Sequence, residues 1–381
     1  LQTKSHKTGI LHLISSLEMG GIETLLLDFA ETFSEIDSEF ELVVVVMNNK
    51  YDPYLRKQLE SLCKEVYFLE RGEGDRNPKH LLRLFGIVNK HRIGVIHTHD
   101  HGSKHFSMLC KLRKPSLKLI FSVHDKFLFD SLSRLKMGLH KRVVNHNIAI
   151  SNSVLQYCYE NGINKASLIY NGIRFSRFKG GNREFMGDGI LRIVNVGRIT
   201  HRIKGQDILI RALHLLKQQG FCSFECHFIG GQYDYDKNSL PYLNSLVEQY
   251  GLVDKVKFLG NRNDVPKLLP QYDLFVMPSR TEGFGLVLLE ALASGLDVIS
   301  SNIEGPAELL QDGSLGLLFE VGNERDLCEK LMQASNSKYG IIKNSKKKQY
   351  LQKFDILTMC IEYLGLYRRL ISKASSKEVA K

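Results

Sequence analysis

The 381-residue chain has only eight prolines and no long polar tail, which leaves no room for an extended disordered segment. No stretch of 18 or more uncharged apolar residues occurs, so a membrane-spanning helix is not expected. The seven cysteines, at 63, 110, 158, 222, 226, 328 and 360, are odd in number and scattered, and none forms a CxxC pair. They suit neither a disulfide framework nor a zinc site, and packed thiols in a reducing cytoplasm are the expectation. No Gly-x-Gly-x-x-Gly follows the first strand pattern, which argues against a nicotinamide enzyme. No 20–50-residue repeat is present, so solenoids are excluded. The opening LQTKSHKTGILHLIS lacks the apolar core of a secretory signal and runs straight into a strand pattern, which fits a cytoplasmic location.

What is present is an alternation of strand, turn and helix that occurs twice. The length suits two α/β cores better than one. In the first half, short runs rich in Val, Ile and Leu predict strands at 10–17, 40–47, 94–97, 117–123, 147–151 and 167–170. Helical patterns occupy 22–33 and 78–90. The second half predicts strands at 191–196, 225–229, 256–259, 273–277, 297–300 and 316–319, with helices at 206–218, 240–250, 286–293 and 323–334. Continuous apolar runs suit strands buried on both faces of a parallel sheet, and the alternation predicts a doubly wound sheet in each half. The polar, glycine-rich KGGNREFMGDG at 179–189 is the candidate linker. A lysine-rich stretch, 343–353, precedes a last amphipathic helix at about 356–373. Open α/β sheets bind ligands beyond the carboxyl ends of their strands, so chemistry is sought there.

The sharpest motif is PSRTEGFGLVLLEA, which starts at Pro278. A strand ends in a polar turn, and Glu282-Gly-Phe-Gly opens a helix that carries Glu290. The glycines let the amides of Gly283, Phe284, Gly285 and Leu286 approach an anion at the helix start. Two carboxylates eight residues apart can face one cleft and accept hydrogen bonds from vicinal hydroxyls of a ribose or pyranose. Glu290 lies in an otherwise apolar run, where a charge without a partner is costly. Elsewhere, Arg198 and Lys204 follow a strand end and open a helix, where two cations would meet a phosphate with the dipole's help. Gly20 and Gly21 sit between a strand and a helix, which suits close approach of the backbone to a ligand or simply a tight turn. His97, His99 and His101 form a His-x-His-x-His run. It has no evident fourth zinc ligand, so contacts to phosphate, sugar or acceptor are preferred to metal.

The Glu-x7-Glu spacing in EGFGLVLLEALASG closely resembles family 4 of the retaining GT-B glycosyltransferases. The likeness continues in MGGIET, SVHD at 122–125, SNSV at 151–154, YNGI at 170–173, VGRI and KGQDILI within 196–210, VKFLG at 256–260 and EGPAELL at 304–310. These segments span nearly the whole chain in the family's order.

The resemblance implies two Rossmann-like domains facing across a cleft: an acceptor domain at 1–178, a nucleotide-sugar domain at 179–355, and a helix at 356–381 returning to the first. It implies transfer of a sugar from a nucleotide-sugar, UDP by family frequency, to a saccharide or lipid-linked saccharide, with retention at the anomeric carbon. Arg198 and Lys204 would bind the donor diphosphate. The spacer RITHRIK is one residue longer than usual, so Arg202 competes for that role. Gly20, Gly21, Gly260, Asn261, Gly283 to Leu286 and Glu290 join the donor site. His124 faces the transferred sugar, with His99 and His101 toward the acceptor; Glu282 joins His124, Arg198 and Lys204 as catalytic. No acidic pair adjoins Arg198 and Lys204 to hold Mg²⁺ or Mn²⁺, so neither a metal nor another cofactor is expected.

Residues 101–150 carry ten Lys/Arg against two acids, while residues 1–100 are net negative by three. Within this sector, SRLKMGLHKRVV reads as a basic amphipathic helix with Leu132, Leu135, Met137, Leu139 and Val143 for packing. An anionic membrane face or a pyrophosphate suits it, and no nucleic-acid motif accompanies the charge. Two other functions remain open. One is a non-catalytic carbohydrate- or lipid-binding relative; the other is a GT-B epimerase. A phosphorylase would need a pyridoxal lysine site, and no motif for one is found.

Overall fold

The computed structural model describes residues 7–36, 38–130, 132–178, 189–233, 236–336 and 349–378. The candidate linker, Gly189 excepted, and the lysines at 343–348 of the candidate stretch lie outside them. The chain forms two compact units, residues 1–172 with 356–381, and residues 173–355. The change of unit falls at 172/173, ahead of 178. Ile173 and Phe178 are buried, and the Ile173 N–H donates to the Phe354 carbonyl at 2.9 Å. Apolar anchors therefore hold the turn Phe175–Phe178 to the second unit.

The first unit is a parallel seven-stranded sheet: β1 (Thr8–Ile14), β2 (Phe40–Asn48), β3 (Glu65–Arg71), β4 (Ile93–Thr98), β5 (Lys118–Val123), β6 (His146–Ala149) and β7 (Ala166–Leu168). Its order is β3-β2-β1-β4-β5-β6-β7. The central strands are almost wholly buried, as their Val/Ile/Leu runs require. The C-terminal helix Ile356–Glu378 lies against the helix Gly21–Glu35 and β4. Its Tyr363 and Tyr367 are fully buried, Tyr363 with its ring 5.7 Å from that of Phe29.

The second unit is a parallel six-stranded sheet: β8 (Leu191–Val196), β9 (Phe224–Ile229), β10 (Val256–Phe258), β11 (Leu274–Met277), β12 (Asp297–Ser301) and β13 (Leu317–Phe319). Its order is β10-β9-β8-β11-β12-β13. The helix Gln206–Gln218 buries Ile208, Leu209, Ala212, Leu213 and Leu216 against β8 and β9. In each sheet the order runs outward in both directions from one adjacent pair, β1/β4 in the first and β8/β11 in the second. The loops beyond the carboxyl ends of such a pair diverge to opposite faces and leave a crevice.

Two features depart from the sequence reading. The structure adds β3 and the helices Pro53–Leu62 and His101–Arg113. The basic helix Arg134–Val143 does not pack its leucines: Leu135 is 82% and Leu139 49% exposed. Its one buried residue is His140, bonded to Asn147 Oδ1 at 3.0 Å and set between Phe121 and Phe129. That anchor sets the helix rotation and turns Leu135 and Leu139 outward, with Met137 half-buried.

Candidate active site

In the second unit Arg198, Lys204, Glu282 and the start of the helix Leu286–Ala293 follow the carboxyl ends of β8 and β11. Beyond β8 the chain passes Arg198 and enters the short helix His201–Lys204, then Gly205 at φ +67° starts Gln206–Gln218. A Cβ on Gly205 would stand 1.9 Å from the Pro278 carbonyl oxygen, so only glycine lets this turn meet the loop after β11. Arg280 fastens the two. Its guanidinium donates to both Asp207 carboxylate oxygens at 2.8 Å and to the His201 carbonyl at 2.7 Å. Its backbone N–H donates to the Ile203 carbonyl at 2.8 Å. The fork-to-carboxylate geometry makes this a directional clamp.

The clamp brings Glu282 to Lys204, whose ammonium donates to Oε2 at 2.5 Å. Both side chains are half-buried, Lys204 26% and Glu282 18% exposed. Lys204, and not Arg202, makes this pair; Arg202 is exposed on the short helix. Arg198 is also exposed, with its guanidinium 5.2 Å from the Tyr233 ring centre and its carbonyl held by Gln206 Nε2 at 2.8 Å. Gly283 and Phe284 are buried, Phe284 against Phe354. Gly285, at φ +94°, then starts the helix Leu286–Ala293 and, as a glycine, brings no capping side chain of its own. That end is the kind that receives an anion. Glu290 is half-buried within the same helix. At the end of β10, Gly260 and Asn261 are exposed, and the Gly260 carbonyl accepts from the Gly230 N–H at 2.8 Å.

The first unit places the histidines at its own crevice, between β1 and β4. Gly20 is the extended residue before the helix Gly21–Glu35, and its carbonyl accepts from the Thr24 amide at 3.1 Å. Its φ of −172° is open to any residue, so backbone conformation does not demand glycine there. His124, half-buried just beyond β5, has its Nε2 3.1 Å from His99 Nδ1. His99 Nε2 lies 3.1 Å from His12 Nδ1, so both His99 ring nitrogens are occupied internally. His101 Nε2 donates to the Leu128 carbonyl at 2.8 Å, and its Nδ1 accepts from Lys104 at 2.8 Å. Burial pulls the Lys104 ammonium down to about 8. His99 therefore stands behind His124 as a support, His101 is tied to Leu128 and Lys104 instead, and His97 is fully buried. Desolvation lowers His124 to about 4 and His12 to about 3, and lowers His97 and His99 well below the usual imidazole value.

His12, His97 and His99 offer nitrogens within 4.8 Å of one another, the grouping that a three-histidine metal site would need. Here all six ring nitrogens already join hydrogen bonds to each other, to His124, to Tyr367 or to Ser122. His97 and His99 also stack at 27°, and near-parallel rings do not converge their in-plane lone pairs on one ion. In the second unit the sequence does contain an Asp-x-Asp, Asp234-Tyr235-Asp236, which the expectation of no acidic pair passed over. Asp236 accepts from the Ser239 hydroxyl at 2.6 Å, and Asp234 lies outside the described residues. Sequence reasoning missed His12, Tyr367 and the Arg280–Asp207 clamp. Their only signals were polar groups inside buried runs and an arginine beside the Glu-x7-Glu motif.

Residues 186–353 match the family model of glycosyl transferases group 1, and residues 19–177 match that of glycosyltransferase family 4. The capsular polysaccharide biosynthesis glycosyltransferase CapH of Staphylococcus aureus is 26% identical over 79% of this chain and 83% of its own. The UDP-Gal:α-D-GlcNAc-diphosphoundecaprenol α-1,3-galactosyltransferase of Escherichia coli is 23% identical over 81% of this chain and 82% of its own. The crystal structure of Anabaena Alr3699/HepE in complex with UDP and glucose is similar with a TM-score of 0.81 and 22% identity. That match covers 95% of this chain and all of that one, and at this identity it speaks for the fold. Between them the two family models account for nearly all of the chain, and the chain belongs to the family 4 GT-B glycosyltransferases.

Proposed function

We propose that this glycosyltransferase moves a sugar from a UDP-sugar to a lipid-linked saccharide, with retention of anomeric configuration and without a divalent metal, in the assembly of a cell-surface polysaccharide. The observation that carries the reading is the Lys204–Glu282 pair beside Arg198 at the β8/β11 crevice. Two cations and a helix start suit a diphosphate, and Glu290 suits the hydroxyls of the nucleoside or sugar. CapH acts in capsular polysaccharide biosynthesis and the Escherichia coli enzyme uses a diphosphoundecaprenol acceptor, by their names, which supports the acceptor class.

In this mechanism the bond from the anomeric carbon to the β-phosphate oxygen breaks as negative charge grows on that phosphate. Arg198, Lys204 and the amides at the start of Leu286–Ala293 stabilise the charge, the contribution that is usually largest. The acceptor hydroxyl attacks from the face the phosphate leaves, and its proton passes to the departing phosphate oxygen. Glu282 holds Lys204 in place before the donor arrives, and His124 meets the transferred sugar. No carboxylate is assigned as a covalent nucleophile.

The exposed face of Arg134–Val143 adds the membrane side of the proposal. Leu135 and Leu139 stand out among Arg134, Lys136, Lys141 and Arg142, all exposed. Apolar side chains with cations beside them fit an anionic lipid surface. A thermal-shift series with UDP-, GDP- and ADP-sugars, followed by hydrolysis of whichever raises Tm, tests the donor assignment. Stabilisation by UDP-sugars with slow hydrolysis is expected. Stabilisation without any turnover would favour a non-catalytic relative, and no stabilisation by any nucleotide-sugar would defeat the proposal.

A further inference from the structure

One polar chain runs through the core of the first unit. His12 on β1 and His97 on β4 are paired in register across the sheet. Tyr367 reaches both from the C-terminal helix, its hydroxyl 3.0 Å from His12 Nε2 and 2.7 Å from His97 Nδ1. His97 Nε2 continues to the Ser122 hydroxyl at 2.8 Å. In the other direction His12 Nδ1 continues through His99 to His124 Nε2, at 3.1 Å for each step. The order is Ser122, His97, Tyr367, His12, His99, His124, and all but the last are buried.

Every link needs one hydrogen between its two atoms, and a neutral imidazole carries only one. Burial keeps all four imidazoles neutral at ordinary pH. The hydrogens must therefore all point the same way along the chain. Ser122 sets the direction. It is fully buried, and its hydroxyl lies 2.8 Å from His97 Nε2, a pair in which either atom can donate. The buried Tyr363 hydroxyl beside it has no other hydrogen-bond partner among the described residues. If Ser122 donates to His97, its oxygen is left to accept from Tyr363 and every hydrogen has an acceptor; if His97 donates to Ser122, one of the two hydroxyl hydrogens has none. Ser122 then donates to His97, His97 Nδ1 to Tyr367, Tyr367 to His12, His12 Nδ1 to His99 and His99 Nδ1 to His124. His124 receives on Nε2, so its own hydrogen sits on Nδ1.

We propose that Ser122, His97, Tyr367, His12 and His99 are positioning residues that hold His124 in its Nδ1–H tautomer, so that it meets the reacting sugar as a hydrogen-bond donor. The tautomer follows from the chain alone, while the benefit to transfer rests on the reading of His124 given above.

Histidine ¹⁵N–¹H correlation spectra distinguish the two tautomers of His124 in the intact protein. The wild type is expected to show Nδ1–H alone. Tyr367→Phe cuts the chain, and Ser122→Ala, a gentler change, removes the donor that sets its direction. Either is expected to bring in the Nε2–H form and to lower kcat for hydrolysis of the nucleotide-sugar chosen by thermal shift. The loss should be about 3–10-fold, the worth of one neutral hydrogen bond, with little change in KM. Tyr157→Phe removes a buried hydroxyl elsewhere in this unit, one bonded to Asp130 and the Phe129 N–H. It should lower Tm and leave the His124 tautomer untouched. An Nε2–H form in the wild type, or an unmoved tautomer in both chain variants, overturns the chain. A shifted tautomer with unchanged kcat supports the chain and overturns the placement of His124 against the sugar.

Discussion

Replacing Lys204 with alanine should separate stability from catalysis. The residue lies in a half-buried ion pair, with Lys204 26% and its partner Glu282 18% exposed. Losing the cation leaves a carboxylate that water still reaches, so the folding cost should be about 1–2 kcal/mol, short of the ~3–5 typical of a fully buried broken pair. For a unit of this size that is a fall in Tm of a few degrees, roughly 2–4 °C per kcal/mol. In the transition state the same ammonium faces growing charge on the leaving phosphate. Loss of one such donor costs about 2.7–4 kcal/mol, or roughly 10²–10³ in kcat. Arg198→Ala should behave alike in kcat. Its exposed cation–π contact over Tyr233 is worth about 0.5–1 kcal/mol of stability. Steady-state hydrolysis and transfer, read with Tm for each variant, test both. A drop in kcat marks an interaction made in the transition state, whereas a rise in KM alone would mark ground-state binding. Near-wild-type kcat in both variants would refute the diphosphate assignment.

Three other outcomes follow from the same residues. Turnover should persist in EDTA; complete loss that Mn²⁺ or Mg²⁺ restores would refute metal independence and bring Asp234 and Asp236 forward. Vesicles rich in anionic lipid should co-sediment the protein, each Lys/Arg near the surface adding about 1 kcal/mol, and salt should weaken the binding. Neutralising Arg134, Lys136, Lys141 and Arg142 together should abolish most of it, and equal pelleting with neutral and anionic vesicles would remove the membrane claim. Stability should fall as pH drops below about 6.5. Burial depresses His12 and His140 to about 3 and His124 to about 4, so the unfolded chain binds more protons between those values and about 6.5. The stabilisation is full above 6.5 and is lost on acidification, by about 1 kcal/mol per imidazole over the first pH unit. A denaturant midpoint that stays flat from pH 7.5 to 5 would contradict the buried, neutral histidines.

The parallel sheets were legible because their strands are short apolar runs buried on both faces, as in β2 and β11, where sequence and structure differ by a residue at an end. β3 was not, since it is an edge strand that carries Glu65 and Arg71 at half-buried positions and Glu70 at an exposed one, so its pattern is broken. The helix Pro53–Leu62 had a readable start. Asp52 accepts from the Tyr54 and Leu55 amides, and proline fills the first position. The basic helix failed differently: its periodicity was right, but one buried His140 outweighed two leucines in setting which side faces inward.

At the site, the local chemistry of the Glu-x7-Glu motif could be read, but the meeting of Glu282 with Lys204 could not. The two are 78 residues apart and are joined only because β8 and β11 are neighbours at the switch point. The histidines show the same limit more sharply. Their nitrogens look available in sequence, yet His97 follows Val95 and Ile96 in a strand buried on both faces, so its polar atoms require partners from within the fold. Tyr363 and Tyr367, four apart in the last helix, carry hydroxyls at the tips of core-sized rings, and Tyr367 supplies one of those partners from 270 residues away. A buried strand histidine and an inward-facing helix tyrosine are each a half-satisfied group in sequence. Pairing such groups across the expected layers would have turned this run from a ligand site into the support behind His124.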